Sequence, residues 1–559
     1  MTLVCGIKLT HDGGIALIES TAGGGARLVA ATEVEKHGNR RRHASLTDAD
    51  LIVELLAQLG RAPDEVDEFV VDGWGHDART SGLALSGSAG GRLIRTGPYR
   101  QSDDDTPVLH RYRPDSPLPL GGRSYGYSSF RHVESHLAAA YLTSPAAARG
   151  GPSWVLVWDG GVFPELYAVD PDRRSVGHMG PLFGIPGSVY SGFSCNVPPF
   201  LPDPAWDRQR RHDFHLTMPG KVMAYAGLGQ VSEPLVRELK RVIAALDGRW
   251  DAPGVLHGLT EPFAARLRLA GADILASFQE AVARLLVEGL ARAVEAAETP
   301  VDTLCFAGGS ALNIKWNSAI RDSGLFDTVW VPPFPNDSGS AIGTACAYLL
   351  SEGRFDGLRW SVYSGPALAA GAAPAGWRST PCSVEELGAL LATSGSPVVV
   401  LGGRAELGPR ALGHRSILAS PVEAGMSAVL NRMKGRESYR PVAPICRAED
   451  SARIFDPGGA DPYMVFDHRV RPEWLDRIPA VVHVDGTARL QTVNDHDSPL
   501  AASVLRAFAE RTGIPVLCNT SANEPGGGFF PDAASAMNWG RSPYVWADGV
   551  LHTRRAAQR

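Results

Sequence analysis

The sequence contains few cysteines, and none of them forms a CxxC pair. Its seven cysteines are scattered over 559 residues: Cys5, Cys195, Cys305, Cys346, Cys382, Cys446 and Cys518. A disulfide framework or a thiolate zinc site needs closely spaced cysteines, so neither is expected. The pattern fits a reducing cytoplasm, and we expect most of these side chains to be small buried hydrophobes.

The sequence also lacks a long apolar run and an excess of positive charge. No stretch approaches the roughly 18–20 apolar residues of a membrane span. The start, "MTLVCGIKLTHDGG", has no basic flank before an apolar segment, unlike a signal peptide. Because the formal net charge is -6, no basic field would attract duplex nucleic acid. We therefore expect a cytoplasmic protein that binds neither membrane nor nucleic acid.

Hydrophobic residues make up 44% of the chain, enough for a large core, and the length suggests two or three domains. The spacing of apolar residues predicts strands at 3–9, 15–20, 26–36 and 68–74, with a helix at 48–60. A similar order begins at 153–161 and continues at 301–313 and 328–350, and the longest predicted helix is 273–298. Segments 83–122 and 185–220 lack periodicity and are predicted to be long loops.

The segment "SGPALAAGAAPAGWRST" (364–380) is rich in Ala, Gly and Pro, which is typical of a linker. Beyond it we predict another helix and strands at 396–403 and 514–521. The sequence thus predicts an N-terminal domain at 1–365 and a C-terminal domain at 380–559.

Two histidines and two aspartates form the first candidate site. His132 and His136 in "RHVESH" are four residues apart on a predicted helix, so they share a face. Asp159 in "VWDGG" and Asp337 in "PPFPNDSG" follow predicted strands beside glycines. For the histidines alone, the more common arrangement is a half-exposed helix on which both side chains have ordinary hydrogen-bond partners and bind no metal. With both carboxylates, the set suits iron, manganese or zinc.

Two glycine-rich turns are weaker candidates. In "THDGG", His11 could act as a general base near a metal and Asp12 lies beside it, although Asp and Gly also occur in turns for local reasons. In "FAGGSALN", the amides of Gly308 and Gly309 could hold a phosphate or a nucleoside. A plain strand-to-helix turn remains the alternative there, because neither a Walker loop nor GxGxxG is present.

The densest positive charge lies in "ELGPRALGHRSI" (406–417) and "NRMKGRESYRPVAP" (431–444). Basic residues recur over the 37 positions 404–440, among them Arg404, Arg410, Arg415, Lys434, Arg436 and Arg440. A charge run is usually solvated surface, but here it is interleaved with Gly, Pro and apolar residues. Arginine binds phosphate through paired hydrogen bonds, and Ser521 could add a hydroxyl. We predict a site for a small phosphorylated molecule.

Taken in order, these motifs resemble the NodU/CmcH family of O-carbamoyltransferases. The resemblance also includes "PGKVMAYAG", "HVDGTARLQTV" and "NTSAN", and it extends from about residue 5 to 525. It implies an α/β protein: an actin-like (ASKHA) N-terminal domain with duplicated βββαβα halves, followed by a smaller YrdC-like C-terminal domain. Family members commonly carry an aromatic residue after "NTS", where this chain has Ala522.

The resemblance implies that carbamoyl phosphate and ATP, with Mg²⁺, form carbamoyl-adenylate, whose carbamoyl group passes to an acceptor hydroxyl. It assigns His132, His136, Asp159 and Asp337 to Fe²⁺ or another divalent metal. His11, with Asp12 beside it, matches the base. Adenylate binding falls to Gly308, Gly309 and Asn313. The resemblance assigns the binding of carbamoyl phosphate and nucleotide to Arg410, Lys434, Arg436, Arg440 and Ser521.

The resemblance implies a small-molecule hydroxylated acceptor, a specialised metabolite such as an antibiotic, and by analogy a homodimer. The 83–122 segment is expected to help shape the acceptor pocket. Two alternatives remain: a small-molecule kinase on an actin-like fold, and a non-catalytic nucleotide- or metal-binding relative.

Overall fold

The structure is a computed structural model that describes residues 1–21, 25–38, 40–75, 82–88, 90–101, 106–246, 252–299 and 301–555. Its first unit contains β1 (Thr2–Lys8), β2 (Gly14–Ser20), β3 (Ala26–Glu33), α1 (Ala49–Gln58), β4 (Glu68–Asp72), β5 (Gly82–Leu85), β6 (Arg92–Arg95), β7 (Leu118–Leu120), β8 (Arg123–Tyr125), β9 (Tyr127–Phe130), α2 (His132–Leu142) and α3 (Pro145–Ala148).

The second unit contains β10 (Ser153–Val157), β11 (Glu165–Asp170), β12 (Ser175–Pro181), α4 (Ser188–Ser194), α5 (Arg208–Ala226), α6 (Glu233–Leu246), α7 (Ala252–Arg266), α8 (Gly271–Ala296), β13 (Thr303–Ala307), α9 (Ile314–Asp322), β14 (Thr328–Trp330), α10 (Ser340–Ser351) and β15 (Leu358–Arg359).

The main sheets of these two units share the topology of five strands, and the first sheet has β15 in addition, parallel to β3. Among the described residues, the first sheet has the order β15-β3-β2-β1-β4-β9 and the second β12-β11-β10-β13-β14. In each, three antiparallel strands are followed by two parallel ones. The expected duplicated halves of an actin-like fold are therefore confirmed.

Helices α2 and α10 pack between the two sheets. Their apolar residues share one core with Val4 of the first sheet and Val155 of the second. A strand that is buried on both faces has a continuous apolar run in its sequence, and β10 is an example. This packing holds the N-terminal ends of α2 and α10 next to each other.

The prediction of two long loops was wrong for parts of both segments. Part of 83–122 forms the hairpins β5–β6 and β7–β8, and part of 185–220 forms α4 and much of α5. The hairpin strands are too short to show alternation. Helix α5 packs Phe214, Met218 and Val222 into the core, but its polar first turn and Pro219 obscure this spacing in the sequence. Residues 89 and 102–105 of the first segment lie outside the described residues.

The third unit contains β16 (Trp377–Pro381), α11 (Val384–Thr393), β17 (Val398–Leu401), β18 (Arg415–Ala419), α12 (Gly425–Met433), β19 (Ala443–Arg447), α13 (Ser451–Ile454), β20 (Phe455–Asp456), β21 (His468–Val470), β22 (Thr487–Ala488), β23 (Gln491–Val493), α14 (Pro499–Thr512), β24 (Val516–Ser521), α15 (Ala533–Trp539), β25 (Tyr544–Ala547) and β26 (Val550–Arg554).

This unit is built on a mixed sheet with its own core. The order is β16-β26-β25-β17-β18-β24-β19-β23, and the core draws on the sheet, α11 and α14. The α/β class is confirmed, whereas the YrdC-like assignment and the boundaries 1–365 and 380–559 stay predictions. All seven cysteines are buried, as expected. No helix of the described residues is both long and apolar enough to cross a membrane.

Candidate active site

Four of the predicted side chains meet where α2 and α10 begin. The Nε2 atoms of His132 and His136 are 3.1 Å apart, and each lies within 3.5 Å of Oδ1 of Asp337. Oδ2 of Asp159 is 3.8 Å from Nε2 of His132. One donor atom from each residue falls within 4.8 Å of the others. The structure brings this set together, while its role in binding a metal stays a prediction.

Close backbone packing produces this convergence. A Cβ on Gly6 of β1 would lie 1.9 Å from the carbonyl oxygen of Ala341 in α10. A Cβ on Gly343 would lie 2.1 Å from the carbonyl oxygen of Ser135 in α2. Only glycine permits such approaches. They hold Asp337, in the turn before α10, against the histidines of α2.

Asp72 and Lys8 support the cluster from behind. Oδ2 of Asp72 is 2.8 Å from Nδ1 of His132 and accepts a 2.8 Å hydrogen bond from Nζ of Lys8. Lys8 also lies 2.9 Å from Asp337. Although burial opposes ionisation, the charges of His132 and Lys8 lower the pKa of Asp72 to about 2. An ionised Asp72 fixes the ring so that Nε2 faces the other three residues.

Asp159 is held by two further contacts. The hydroxyl of Tyr99 donates to Oδ2 of Asp159, and the backbone amide of Gly309 donates to Oδ1 over 2.6 Å. Gly308 has φ +92, and a Cβ there would lie 2.4 Å from the carbonyl oxygen of Trp158. The two glycines of "FAGGSALN" thus lie directly beside the His/Asp cluster, as we call the set of His132, His136, Asp159 and Asp337.

The predicted base lies on the open side of the cluster. Nε2 of His11 is 3.5 Å from Oδ2 of Asp337, and Nδ1 is 3.1 Å from Oδ2 of Asp12. The other oxygen of Asp12 is 2.8 Å from Nδ1 of His43. If Nδ1 of His11 donates to Asp12, Nε2 is the basic nitrogen and faces the cluster. The His11 side chain is 21% exposed, compared with at most 10% for the four clustered residues.

Asn313 caps a helix next to this region. Its Oδ1 accepts from the amides of Lys315 and Trp316 at the start of α9. Its side chain also exchanges hydrogen bonds with Gln279. The structure places Asn313 at the end of the turn that starts with Gly308, and adenylate binding by these residues stays a prediction.

A second cluster, of buried and half-buried cations, lies in the C-terminal unit. Nζ of Lys434 donates to the carbonyl oxygens of Ser521 (2.7 Å) and Asn523 (2.5 Å). Arg436 donates to the hydroxyl of Thr520 over 3.2 Å. Burial and neighbouring positive charges lower the pKa of Lys434 well below its usual value and that of Arg436 to about 9. The structure thus brings Lys434, Arg436 and Ser521 together.

Arg440 and Arg489 complete this cationic cluster, which we define as Lys434, Arg436, Arg440 and Arg489. Burial lowers the pKa of Arg440. Burial, Arg410 and Arg440 lower the pKa of Arg489 to about 9. The Nε atom of Arg489 is buried without a hydrogen-bond partner among the described residues. Arg440 lies 3.8 Å from the carboxylate of Glu437, while the other three cations form no ion pair among the described residues. Such a concentration of positive charge is the electrostatic form of an anion site.

The other arginines of the predicted anion site make different contacts. Arg410 donates to the backbone carbonyls of Leu312 (3.0 Å), Tyr463 (3.3 Å) and Met464. Arg415 donates to the carbonyls of Gly402, Gly403 and His414. Arg404 donates to the carbonyl of Ser364. The conformation of "GPRALGHRS" is therefore fixed by arginine–carbonyl bonds, and Arg410 links it to the "GGSALN" turn.

The segment after β3 joins the two clusters. Its backbone pairs with residues 526–528 of the C-terminal unit: Arg42 donates to Gly526 over 2.8 Å, and Gly528 donates to Arg40 over 3.0 Å. The charge of Arg42 is one cause of the lowered pKa values of Lys434 and Arg440. His43, the next residue, contacts Asp12. One short stretch therefore reaches both sites.

Sequence reasoning missed several of these residues: Lys8, Asp72, Tyr99, Arg42 and Arg489. A signal existed for Asp72, because "VVDG" at the end of β4 repeats the strand–acid–glycine pattern of "VWDG" at Asp159. Arg489 lies inside the quoted motif "HVDGTARLQTV". Lys8 and Tyr99 carry no local pattern.

Comparison with known proteins agrees with this arrangement. The family model "Carbamoyltransferase N-terminus" matches residues 3–84 and 124–346, and "Carbamoyltransferase C-terminus" matches 389–543. These segments contain the His/Asp cluster and the cationic cluster respectively. The protein is a transferase, and the chain belongs to the carbamoyltransferase family.

Two relatives indicate the range of the family. The chain is 44% identical to "Nodulation protein U" of Sinorhizobium fredii, over 99% of each chain. It is 34% identical to "3'-hydroxymethylcephem-O-carbamoyltransferase" of Streptomyces clavuligerus, over 94% of each. Among solved structures, the activator of 2-hydroxyisocaproyl-CoA dehydratase from Clostridium difficile, with bound ADPNP, matches 63% of this chain and 96% of its own, with 11% identity and a TM-score of 0.32.

Proposed function

We propose that the protein is an ATP-dependent O-carbamoyltransferase that works in two steps. In the first, carbamoyl phosphate and water give carbamate and phosphate, and carbamate displaces pyrophosphate from ATP to give carbamoyl-adenylate. In the second, an acceptor hydroxyl takes the carbamoyl group and releases AMP. Family membership supports carbamoyl transfer, while the adenylate step rests on the site.

The observation that carries this proposal is the cationic cluster. Within the described chain, Lys434, Arg436 and Arg489 form no ion pair, and burial lowers the pKa of each. Carbamoyl phosphate and ATP are compact polyanions that would neutralise this charge, and fixed cations would stabilise departing phosphate and pyrophosphate. A buried site also keeps water from a labile intermediate.

The His/Asp cluster suits the transfer step. Two imidazole Nε2 atoms face each other beside two carboxylates, which matches the donor set of a divalent metal such as Fe²⁺. We propose that His132, His136, Asp159 and Asp337 hold this metal, which when bound would act as a Lewis acid. Nε2 of His11 would accept the proton of the acceptor hydroxyl, while Asp12 holds the other nitrogen.

The acceptor is proposed to be a hydroxylated specialised metabolite. One relative's name specifies a 3'-hydroxymethylcephem and others are nodulation proteins, so an antibiotic acceptor is one member of this class. The expected homodimer, Mg²⁺ with ATP, and the lack of membrane or nucleic-acid partners stay part of the proposal.

A reaction without any acceptor tests the first step. Purified protein receives carbamoyl phosphate, ATP and Mg²⁺, and pyrophosphate and the mass of carbamoyl-adenylate are measured. We expect both products from the wild type and neither from Lys434→Met. Lys240→Met is the control, because Lys240 lies in α6 and pairs with Glu288. In a parallel reaction that contains a hydroxylated acceptor, ADP and a phosphorylated acceptor would instead indicate a kinase. No turnover with or without the acceptor would indicate a non-catalytic relative.

A further inference from the structure

The transfer site is reached from the side on which His11 lies. The four residues of the His/Asp cluster are buried, whereas the His11 side chain, which contacts Asp337, is 21% exposed. An acceptor hydroxyl that approaches Nε2 of His11 must therefore pass the groups that flank this ring.

Two rings flank His11. Trp74, after β4, has its centroid 5.1 Å from that of His11 at an interplanar angle of 84°. His212, on α5, has its centroid 6.2 Å away at 59°. Trp74 is held in place by contacts with Lys8, Tyr99 and His132. His212 is exposed, and no hydrogen bond involving its ring is found among the described residues.

The position of His212 is set by a specific clamp. Arg41 binds Asp213 with two parallel hydrogen bonds of 2.8 and 3.2 Å, and Gln209 donates to the same carboxylate over 2.9 Å. Asp207 caps the start of α5 by accepting from the amide of Arg210. Bidentate arginine–carboxylate pairs fix geometry as well as distance. The first turns of α5 are thereby fastened to the segment that carries His43.

We propose that His212 is an acceptor-binding residue, which contacts the hydroxylated acceptor as its reactive hydroxyl reaches His11. This inference rests on the proposed function and names a specificity-determining residue for it. A neutral imidazole offers one donor and one acceptor, which suits a second polar group of the acceptor. The acceptor would thus lie between Trp74 and His212, and His212 would select for a polar substituent near the carbamoylated hydroxyl.

The test separates the two steps of the reaction. Wild type, His212→Ala and His212→Asn are assayed with two acceptors: 3-hydroxymethylcephem, and glycerol as a minimal polyol. For His212→Ala we expect the KM for the cephem to rise about three- to tenfold, the loss of one hydrogen bond, and acceptor-free pyrophosphate release to be unchanged. His212→Asn should recover part of the affinity because it retains a donor and an acceptor.

His215→Ala is the matched control. His215 lies three residues further along α5, where its ring contacts Sγ of Cys195 at 3.7 Å, so its loss should leave the KM unchanged. If wild type and His212→Ala carbamoylate the cephem with the same KM, the inference is overturned but the proposed function stays intact. A wild type that forms carbamoyl-adenylate but carbamoylates neither acceptor would overturn transfer to such hydroxyls, and this inference with it.

Discussion

Nδ1 of His132 lies 2.8 Å from Oδ2 of Asp72, and this contact determines which nitrogen of the ring faces the other three residues of the cluster. Asp72 also accepts from Nζ of Lys8 and, over 2.6 Å, from the hydroxyl of Ser135. A carboxylate behind a metal-binding histidine orients the ring and raises its basicity. Asp72 thus contributes to the site without belonging to the set of four.

We expect Asp72→Asn to weaken metal binding by about 10- to 100-fold, the usual cost of losing such a partner. Transfer to an acceptor should fall accordingly, whereas acceptor-free pyrophosphate release should continue. Metal retained after dialysis against a competing chelator measures the effect. Asp64→Asn is the control, because Asp64 pairs with Arg123 at the surface. Equal metal retention in both variants would argue against the orienting role of Asp72.

Removal of the metal should separate the two steps. After chelation and readdition of Mg²⁺ alone, we expect carbamoyl-adenylate formation to return and carbamoyl transfer to remain absent until Fe²⁺ is supplied. His136→Ala should behave like the chelated protein, because one of four ligands is lost. Product masses and bound iron are measured in parallel. Full transfer by His136→Ala with no bound metal would contradict the assignment.

The strands and the repeated half-domain could be predicted because apolar runs such as that of β10 are continuous and end at glycine turns. Helix α5 was missed, since its first turn is polar and Pro219 lies within it, although Met218 and Val222 pack into the core. Side chains that reach a site from distant strands, such as Lys8 and Tyr99, become visible only in three dimensions. Arg404 and Arg415 show the converse: their charge suggested an anion site, yet they donate to backbone carbonyls.

The lowered pKa of Lys434 predicts a specific dependence of stability on pH. Burial and the charges of Arg436, Arg42 and Arg541 lower this pKa in the folded protein, so the unfolded chain binds more protons between that pKa and about 10.5. Stability should therefore rise with pH across this window, by up to about 1.4 kcal/mol per pH unit.

Lys434→Met removes this contribution. The melting temperature of the wild type relative to the variant should increase as the pH approaches 10 from below. Any difference caused by the lost hydrogen bonds should be independent of pH. Lys240→Met provides the comparison, because Lys240 is partly exposed and pairs with Glu288. A difference between wild type and Lys434→Met that stays flat with pH would show that Lys434 titrates normally.

Arg489 should bind an anionic substrate directly. Its Nε is buried without a partner among the described residues, and Arg410 and Arg440 lie near enough to lower its pKa. We expect Arg489→Gln to raise the KM for carbamoyl phosphate or ATP about tenfold or more, since a charged hydrogen bond is lost. Initial rates of pyrophosphate release give both constants. Arg469→Gln, on the exposed side of β21, should change neither.

The contact of residues 33–36 and 40–43 with the C-terminal unit should be sensitive to a single methyl group. A Cβ on Gly528 would lie 1.8 Å from the carbonyl oxygen of Glu35, so Gly528→Ala must push the two segments apart. Lys36 is held nearby by Glu33 and by the carbonyls of Glu406 and Gly408, each of the latter at 2.8 Å. We expect Gly528→Ala to cost about 1–3 kcal/mol, typical of overpacking.

The same displacement should affect both steps of catalysis. Arg42 and His43 reach the two clusters from this segment, so both adenylate formation and transfer should fall. Unfolding by urea and product analysis measure the two effects. Gly425→Ala is the matched control, since a Cβ at Gly425 would meet no atom within 4 Å. If Gly528→Ala were as stable and active as Gly425→Ala, the two segments would have to pack more loosely than the structure shows.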